Sequence, residues 1–265
     1  MRPVALIAMA MAAFWFGFVD NGWFDRRPVQ RVLFLGHSYT YYNDMPAMVV
    51  KMADSAGSPV RYDIVMHAFP GASLEDHWND RGTQSLLARR DWDKVIIQPE
   101  TCCRLFEPDS SHFRSGSRLL DGTGRTQPAI VASWAPSEGY YADHTLTLTR
   151  LEHLQYIQSN HRALASRTGA RLINVARVWE DVLSEELPFS LYKDGNHPSL
   201  QGSYVAALVV YAELARTDVV NVTYVPWGLS EEHAALLRDR VQRSLRAHGM
   251  AAFADAAQEF AVSSN

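Results

Sequence analysis

Ser38 closes the run Arg31-Val32-Leu33-Phe34-Leu35-Gly36-His37-Ser38, and Asp194-Gly195-Asn196-His197-Pro198 stands far downstream. A serine hydroxyl becomes a nucleophile when a histidine takes its proton, and a carboxylate makes that histidine effective by fixing its tautomer. Ser38, His197 and Asp194 supply one of each type, and the chemistry they suggest is acyl transfer through a serine ester. A serine after a strand carries little information alone. The aspartate and histidine three residues apart, in a turn before a helix, add what it lacks. From that turn His197 can reach toward Ser38 while Asp194 accepts from the other ring nitrogen, directly or through a water. Pro198 suits the first turn of the helix that follows.

Strands and helices must bring these blocks together. Val32 to Leu35 is a continuous apolar run, the mark of a strand covered on both faces. Asp44 and Pro46 fit the start of a helix carrying Met45, Met48, Val49, Met52, Ala53 and Ala56 at helical spacing, which Gly57 ends. Further strands are predicted over 60–68, 94–98, 129–132 and 171–175, with Pro99 stopping the third. Helices are predicted over 74–88, broken near Gly82, then from Leu151 to Gly169, over 176–186, over 200–214, and over 231–248 with Ser230 as cap. Residues 104–127 read as a polar insertion or lid. Strands alternating with helices predict a three-layer α/β/α sandwich, flavodoxin-like, with about five parallel strands. Ligands bind beyond the carboxyl ends of such strands, where Ser38 falls.

The 265 residues are 47% hydrophobic and 20% charged, with a net charge of −4, so a folded core is expected and a nucleic-acid surface is not. Arg2 precedes an uncharged run from Val4 to Val19, the arrangement of an export signal. The expected organisation is therefore residues 1–27 as signal peptide or membrane anchor plus linker, 28–248 as the folded domain, and 249–265 as a tail. The protein would be exported, periplasmic or extracellular, either cleaved or attached to the membrane through residues 4–19. Cys102 and Cys103 are adjacent, which suits neither a structural disulfide nor a zinc site. The histidines show no metal-ligand spacing, so no metal and no cofactor are expected.

Leu35-Gly36-His37-Ser38, the glycine of Phe69-Pro70-Gly71-Ala72, and Asp194-x-x-His197-Pro198 resemble, in order, the blocks of the SGNH or GDSL-like hydrolase superfamily. The resemblance spans about Arg31 to Leu214 and implies serine-dependent ester hydrolysis on a flavodoxin-like fold. By position it makes Ser38 the nucleophile, His197 the base and Asp194 its orienter. It implies an oxyanion hole built from the backbone N–H groups of Ser38 and Gly71 and a side-chain amide. The family's asparagine is absent, and Gln98, in Gln98-Pro99-Glu100, takes its place as in sialate O-acetylesterase-like branches. Glu100 is the rival occupant, although a carboxylate would repel a developing oxyanion. His37 replaces the family's Asp or Asn. His37, Tyr39, Trp78 and Glu100 are candidate substrate contacts, and Tyr41, Tyr42, Trp134, Tyr140 and Tyr141 are further aromatics that could meet sugar rings. The expected partner is a small-molecule or glycan ester, with acetyl or another short acyl group removed. An acyltransferase to a glycan hydroxyl and a catalytically silent glycan-binding protein remain as alternatives.

Overall fold

The computed structural model describes residues 25–89, 91–100, 110–124, 126–143 and 148–249. In chain order it comprises β1 (Val29–Gly36), α1 (Ser38–Tyr41), a 3-10 turn (Tyr42–Asp44), α2 (Met45–Ser55), β2 (Arg61–Ala68), α3 (Leu74–Asn79), α4 (Arg81–Ala88), β3 (Lys94–Ile97) and α5 (Ser111–Asp121). There follow β4 (Gln127–Val131), α6 (Glu138–Asp143), α7 (Arg150–Thr168), β5 (Arg171–Ile173), α8 (Val175–Leu183), α9 (Leu200–Ala215) and α10 (Glu231–Ala247). All five strands are parallel, in the order β2-β1-β3-β4-β5. This is the doubly wound flavodoxin-like order, whose chain reversal opens a crevice between β1 and β3.

Successive strand residues point to opposite faces, so each strand feeds two cores. Val32, Phe34, Ile96, Val131 and Ile173 pack with α2, α8, α9 and α10. Leu33, Leu35, Val95, Ile97 and Ile130 pack with Leu74 of α3, Leu87 of α4, Phe113 and Leu119 of α5 and Leu164 of α7. Helix α9 is buried almost all round, as its near-continuous apolar sequence requires, and it lies between α2 and α10.

Several predicted boundaries move for local reasons. β5 ends at Ile173 instead of Val175, because Asn174 caps α8 by accepting from the N–H of Arg177 at 3.2 Å. The break between α3 and α4 falls at Asp80, whose carboxylate accepts from the N–H of Thr83 at 2.6 Å, and Gly82 lies inside the helix. Asp44 makes no side-chain cap for α2; it sits in left-handed backbone at φ 51°. The expected lid over 104–127 contains α5, whose Phe113, Leu119 and Leu120 are core residues, so this part belongs to the helical layer. Residues 1–24 of the segment expected to be signal peptide or anchor plus linker, Cys102, Cys103 and the residues after 249 lie outside the described residues. Among the described residues no helix is long and apolar enough to cross a membrane.

Candidate active site

β1 carries the chain to the crevice and stops at Gly36, where α1 begins at Ser38. A Cβ on Gly36 would stand 2.0 Å from Thr40 Oγ1, so the return of α1 over the strand end requires glycine there. His197 Nε2 lies 3.1 Å from Ser38 Oγ, and His197 Nδ1 lies 2.8 Å from Asp194 Oδ2. Asp194 Oδ1 accepts from the backbone N–H groups of Asn196 at 3.1 Å and His197 at 2.8 Å, which locks the turn that presents the imidazole. Partial burial works against ionisation of Asp194. The hydrogen bonds from the His197 backbone, the His197 ring and Asn196 outweigh it and hold the carboxyl below its ordinary value. The three residues can therefore pass a proton from serine to imidazole with the carboxylate ionised behind it.

A stack of aromatic rings fixes the histidine block against the serine block. Tyr42 lies flat on the His197 imidazole, with centroids 4.5 Å apart and planes 9° apart, and Tyr39 meets the same ring edge-on at 6.0 Å. Tyr39 stacks on Trp134 at 4.5 Å, and Trp134 on Trp179 at 4.0 Å. The Tyr39 hydroxyl donates to Asn196 Oδ1, and Trp134 Nε1–H donates to the Asn196 carbonyl at 3.1 Å. On the outside, Asn43 Nδ2 donates to Ser203 Oγ at 2.8 Å and to the Ser199 carbonyl at 3.1 Å. Asn43 does so from φ 54°, a left-handed conformation that asparagine adopts more readily than most residues. Asn43, Asn196 and Thr40 were not among the predicted site residues. The Asn43-Asp44 pair was the one sequence signal for that turn, since both types tolerate left-handed backbone.

The remaining predicted residues divide by what they touch. The N–H groups of Ser38 and Gly71 make no hydrogen bond among the described residues. Gly71 has φ +62° in the Phe69–Ala72 turn, closed by Ala72 N–H to the Phe69 carbonyl at 3.2 Å, a position that follows proline and favours glycine. Gln98 is 1% exposed. Its Nε2 donates to Ser133 Oγ at 2.8 Å, and its Oε1 accepts from Thr40 Oγ1 at 2.5 Å. The described bonds thus tie the Gln98 amide to Thr40 of α1 and to Ser133, and they use one of its two amide N–H groups. Glu100 is partly buried beyond Pro99.

His37 is not presented to a ligand. It is buried, its Nε2 faces the Pro99 carbonyl at 3.2 Å, and its Nδ1 caps α1 toward the N–H of Tyr39. Burial holds its pKa down at about 4, so the ring is neutral. Tyr39, at 1% exposure, is a core residue and cannot stack on a sugar. Trp78 packs on the second core under the Arg118 guanidinium, 5.5 Å from its ring, and makes no described contact with Ser38 or His197. Trp134 and Tyr141 are also buried. Tyr42, on the imidazole face, and Tyr41, stacked on Tyr42 at 5.6 Å, are both partly exposed. His77, read from sequence only for metal spacing, is buried with Nε2 2.9 Å from the Gly36 carbonyl. Among the described residues no group of three or more His, Cys, Asp or Glu could hold a metal ion.

No family model matches the sequence, and no curated protein matches it. Solved structures do. A candidate SGNH hydrolase from Slackia heliotrinireducens is 28% identical, with TM-score 0.59 over 70% of this chain and 99% of that one. A DUF4886 family protein from Bacteroides uniformis superposes with TM-score 0.64 at 16% identity, over 82% of this chain and 95% of that one. Axe2, an acetylxylan esterase from Geobacillus stearothermophilus, superposes with TM-score 0.57 at 16% identity, over 74% and 98%. The last two likenesses concern the fold, and the first also carries sequence. With the motif order and the strand order, they place the chain in the SGNH-like hydrolase superfamily.

Proposed function

We propose that the protein is a serine-dependent carboxylic ester hydrolase that removes acetyl or other short acyl groups from a carbohydrate or similar ester. The observation that carries this reading is the unbroken hydrogen-bond chain from Ser38 Oγ through His197 to Asp194, at 3.1 and 2.8 Å. Such a chain has little structural purpose at a crevice mouth, and it has the donor and acceptor order that hydroxyl activation needs. His197 Nε2 takes the Ser38 proton while Oγ bonds to the ester carbonyl carbon. The N–H groups of Ser38 and Gly71 are the donors for the oxyanion that forms. His197 then returns the proton to the leaving alcohol oxygen as its bond to carbon breaks. A water, deprotonated by the same nitrogen, then bonds to the acyl carbon, and His197 returns that proton to Ser38 Oγ as its bond to carbon breaks and the acid leaves. Asp194 stays ionised and holds the imidazolium by its Nδ1–H.

Gln98 acts here as a positioning residue, because its amide supports Thr40, two residues after the nucleophile. Tyr41 and Tyr42, partly exposed and stacked outward from the imidazole, are aromatic surface that suits a sugar-bearing ester. The likeness to an acetylxylan esterase supports the acyl group and substrate class suggested. The uncharged run from Val4 to Val19 supports export to a compartment where glycans are met. A fluorophosphonate followed by peptide mapping tests the nucleophile. The expected adduct is on Ser38, and an adduct on another residue contradicts the proposal. Incubation of acetylated oligosaccharides with and without an acceptor sugar tests the reaction. Free acetate in both cases is expected, and acetyl transfer to the acceptor would make the enzyme a transferase.

A further inference from the structure

A cavity of about 490 Å3 opens at the amino end of the sheet, between the α2–β2 turn, the first residues of β1 and β3, and the last turn of α9. Gln30, Tyr62, Lys94, Tyr211 and Arg216 bring polar atoms to its wall, and Leu214 adds apolar surface. Lys94 starts β3 opposite Val32, whereas Ile97 and Gly36 mark the end that carries Ser38. Four residue steps along β3, about 13 Å, carry the chain from Lys94 to Gln98, so the two sites are distinct.

Lys94 is half-buried, and its ammonium makes no ion pair or hydrogen bond among the described residues. Two acids beside it, Asp93 and Glu213, are engaged elsewhere. Asp93 Oδ2 accepts from the N–H of Arg31 at 2.7 Å, and Glu213 pairs with Arg171. Burial, with the Arg171 and Arg216 charges nearby, holds the Lys94 ammonium below its ordinary pKa. Gln30 lines the same wall, and its Oε1 is buried behind it without a hydrogen-bond partner, within reach of the cavity by a turn of the amide. A part-buried cation without an anion and a buried acceptor without a donor both carry a free-energy cost, and one ligand could relieve the two together.

We propose that this cavity is a second ligand site, which takes a small organic acid bearing a hydroxyl or amine close to its carboxylate. The carboxylate meets Lys94 and Arg216, the hydroxyl or amine donates to Gln30 Oε1, and the carbon skeleton lies against Tyr62, Tyr211 and Leu214. The volume falls in the range of ordinary small-molecule sites, roughly 300 to 1,000 Å3. The inference is independent of the reading of Ser38.

Calorimetric titration of the full chain with sodium gluconate, at fixed ionic strength, tests it. Saturable binding is expected, at least about tenfold tighter than for acetate, which lacks the donor, or glucose, which lacks the charge. Lys94→Met should weaken gluconate about tenfold or more and leave ester hydrolysis unchanged. The same variant should raise Tm without ligand, because it removes an uncompensated charge. Gln30→Met provides an independent arm, weakening gluconate and not acetate. Absence of saturable heat, equal affinity in Lys94→Met, or equal affinity for gluconate, acetate and phosphate would each overturn the proposal.

Discussion

At the carboxyl end of the sheet Ser38, His197 and Asp194 are joined in a chain, the imidazole is braced by two tyrosine rings, and Gln98 is tied to Thr40 and Ser133. At the amino end, Lys94 and Gln30 line a cavity, and neither the Lys94 side chain nor the buried Gln30 Oε1 has a protein partner among the described residues. The difference separates two ways of holding a ligand. A site that does chemistry fixes its reacting groups beforehand, because reorganising dipoles during reaction is costly. A site that only binds can leave polar groups unmatched until the ligand completes them, at some cost to the empty protein.

Breaking the prearranged end should cost most where it touches the proton path. Asp194→Asn should lower kcat roughly 10²- to 10⁴-fold with little change in KM, since the amide cannot steady an imidazolium as the carboxylate does. Steady-state rates on an acetyl ester measure this, and a loss under about threefold would remove Asp194 from the relay.

The buried histidines around this end give the next effect. Burial first of all lowers His37 to about 4, His112 to about 4 and His161 to about 3, against 6.5 for a free imidazole. Between pH 6.5 and about 4 the unfolded chain binds protons that the native one refuses, so stability must fall as the pH falls through that window. Each such histidine contributes a slope of about 1.4 kcal/mol per pH unit. Urea unfolding at pH 7, 6 and 5 should show the decline, and flat stability over that range would contradict the neutral, buried assignment.

Gln98→Met keeps the volume and removes both amide bonds. It should cost about 1 to 3 kcal/mol of stability, with a fall in kcat of about tenfold or less. A loss of roughly 10²- to 10³-fold in kcat with unchanged stability would return the amide to the oxyanion hole. Smallest is Tyr42→Leu, which removes the ring from the face of His197. A fall in kcat of a few-fold to about tenfold is expected, with Tyr42→Phe close to wild type. Comparable losses in both variants would assign the effect to the hydroxyl instead of the ring. Lys193, whose Nζ lies 5.0 Å from the Tyr42 ring centroid, should be tolerant of change.

The hydrogen-bonded trio of Ser38, His197 and Asp194 was legible in the sequence because the chemistry it suggests is tied to type and spacing. Asp194 and His197 must share one turn, and Ser38 must end a strand. The strands were legible because apolar runs buried on two faces have few alternatives. What could not be read was direction. Tyr39 and Trp134 lie in segments that suit exposed loops, yet ring stacking and the bonds to Asn196 draw them inward. Gln98 matches the position of an amide donor, and its bonds to the hydroxyls of Thr40 and Ser133, which come from two other segments, could not be read from its own block. The pairing of Asn43 with Ser203 also depends on residues distant in sequence, which no local pattern records. Lys94 read as an ordinary strand start, because its lack of a partner depends on where Asp93 and Glu213 turn.

The central claim is that Ser38 Oγ forms the acyl-enzyme. Hydrolysis of p-nitrophenyl acetate by purified wild type and by Ser38→Ala, after checking that both fold alike, tests it most directly. The account predicts a fall in kcat of about 10⁴-fold or more in the variant. A Ser38→Ala enzyme that keeps the wild-type rate would contradict it.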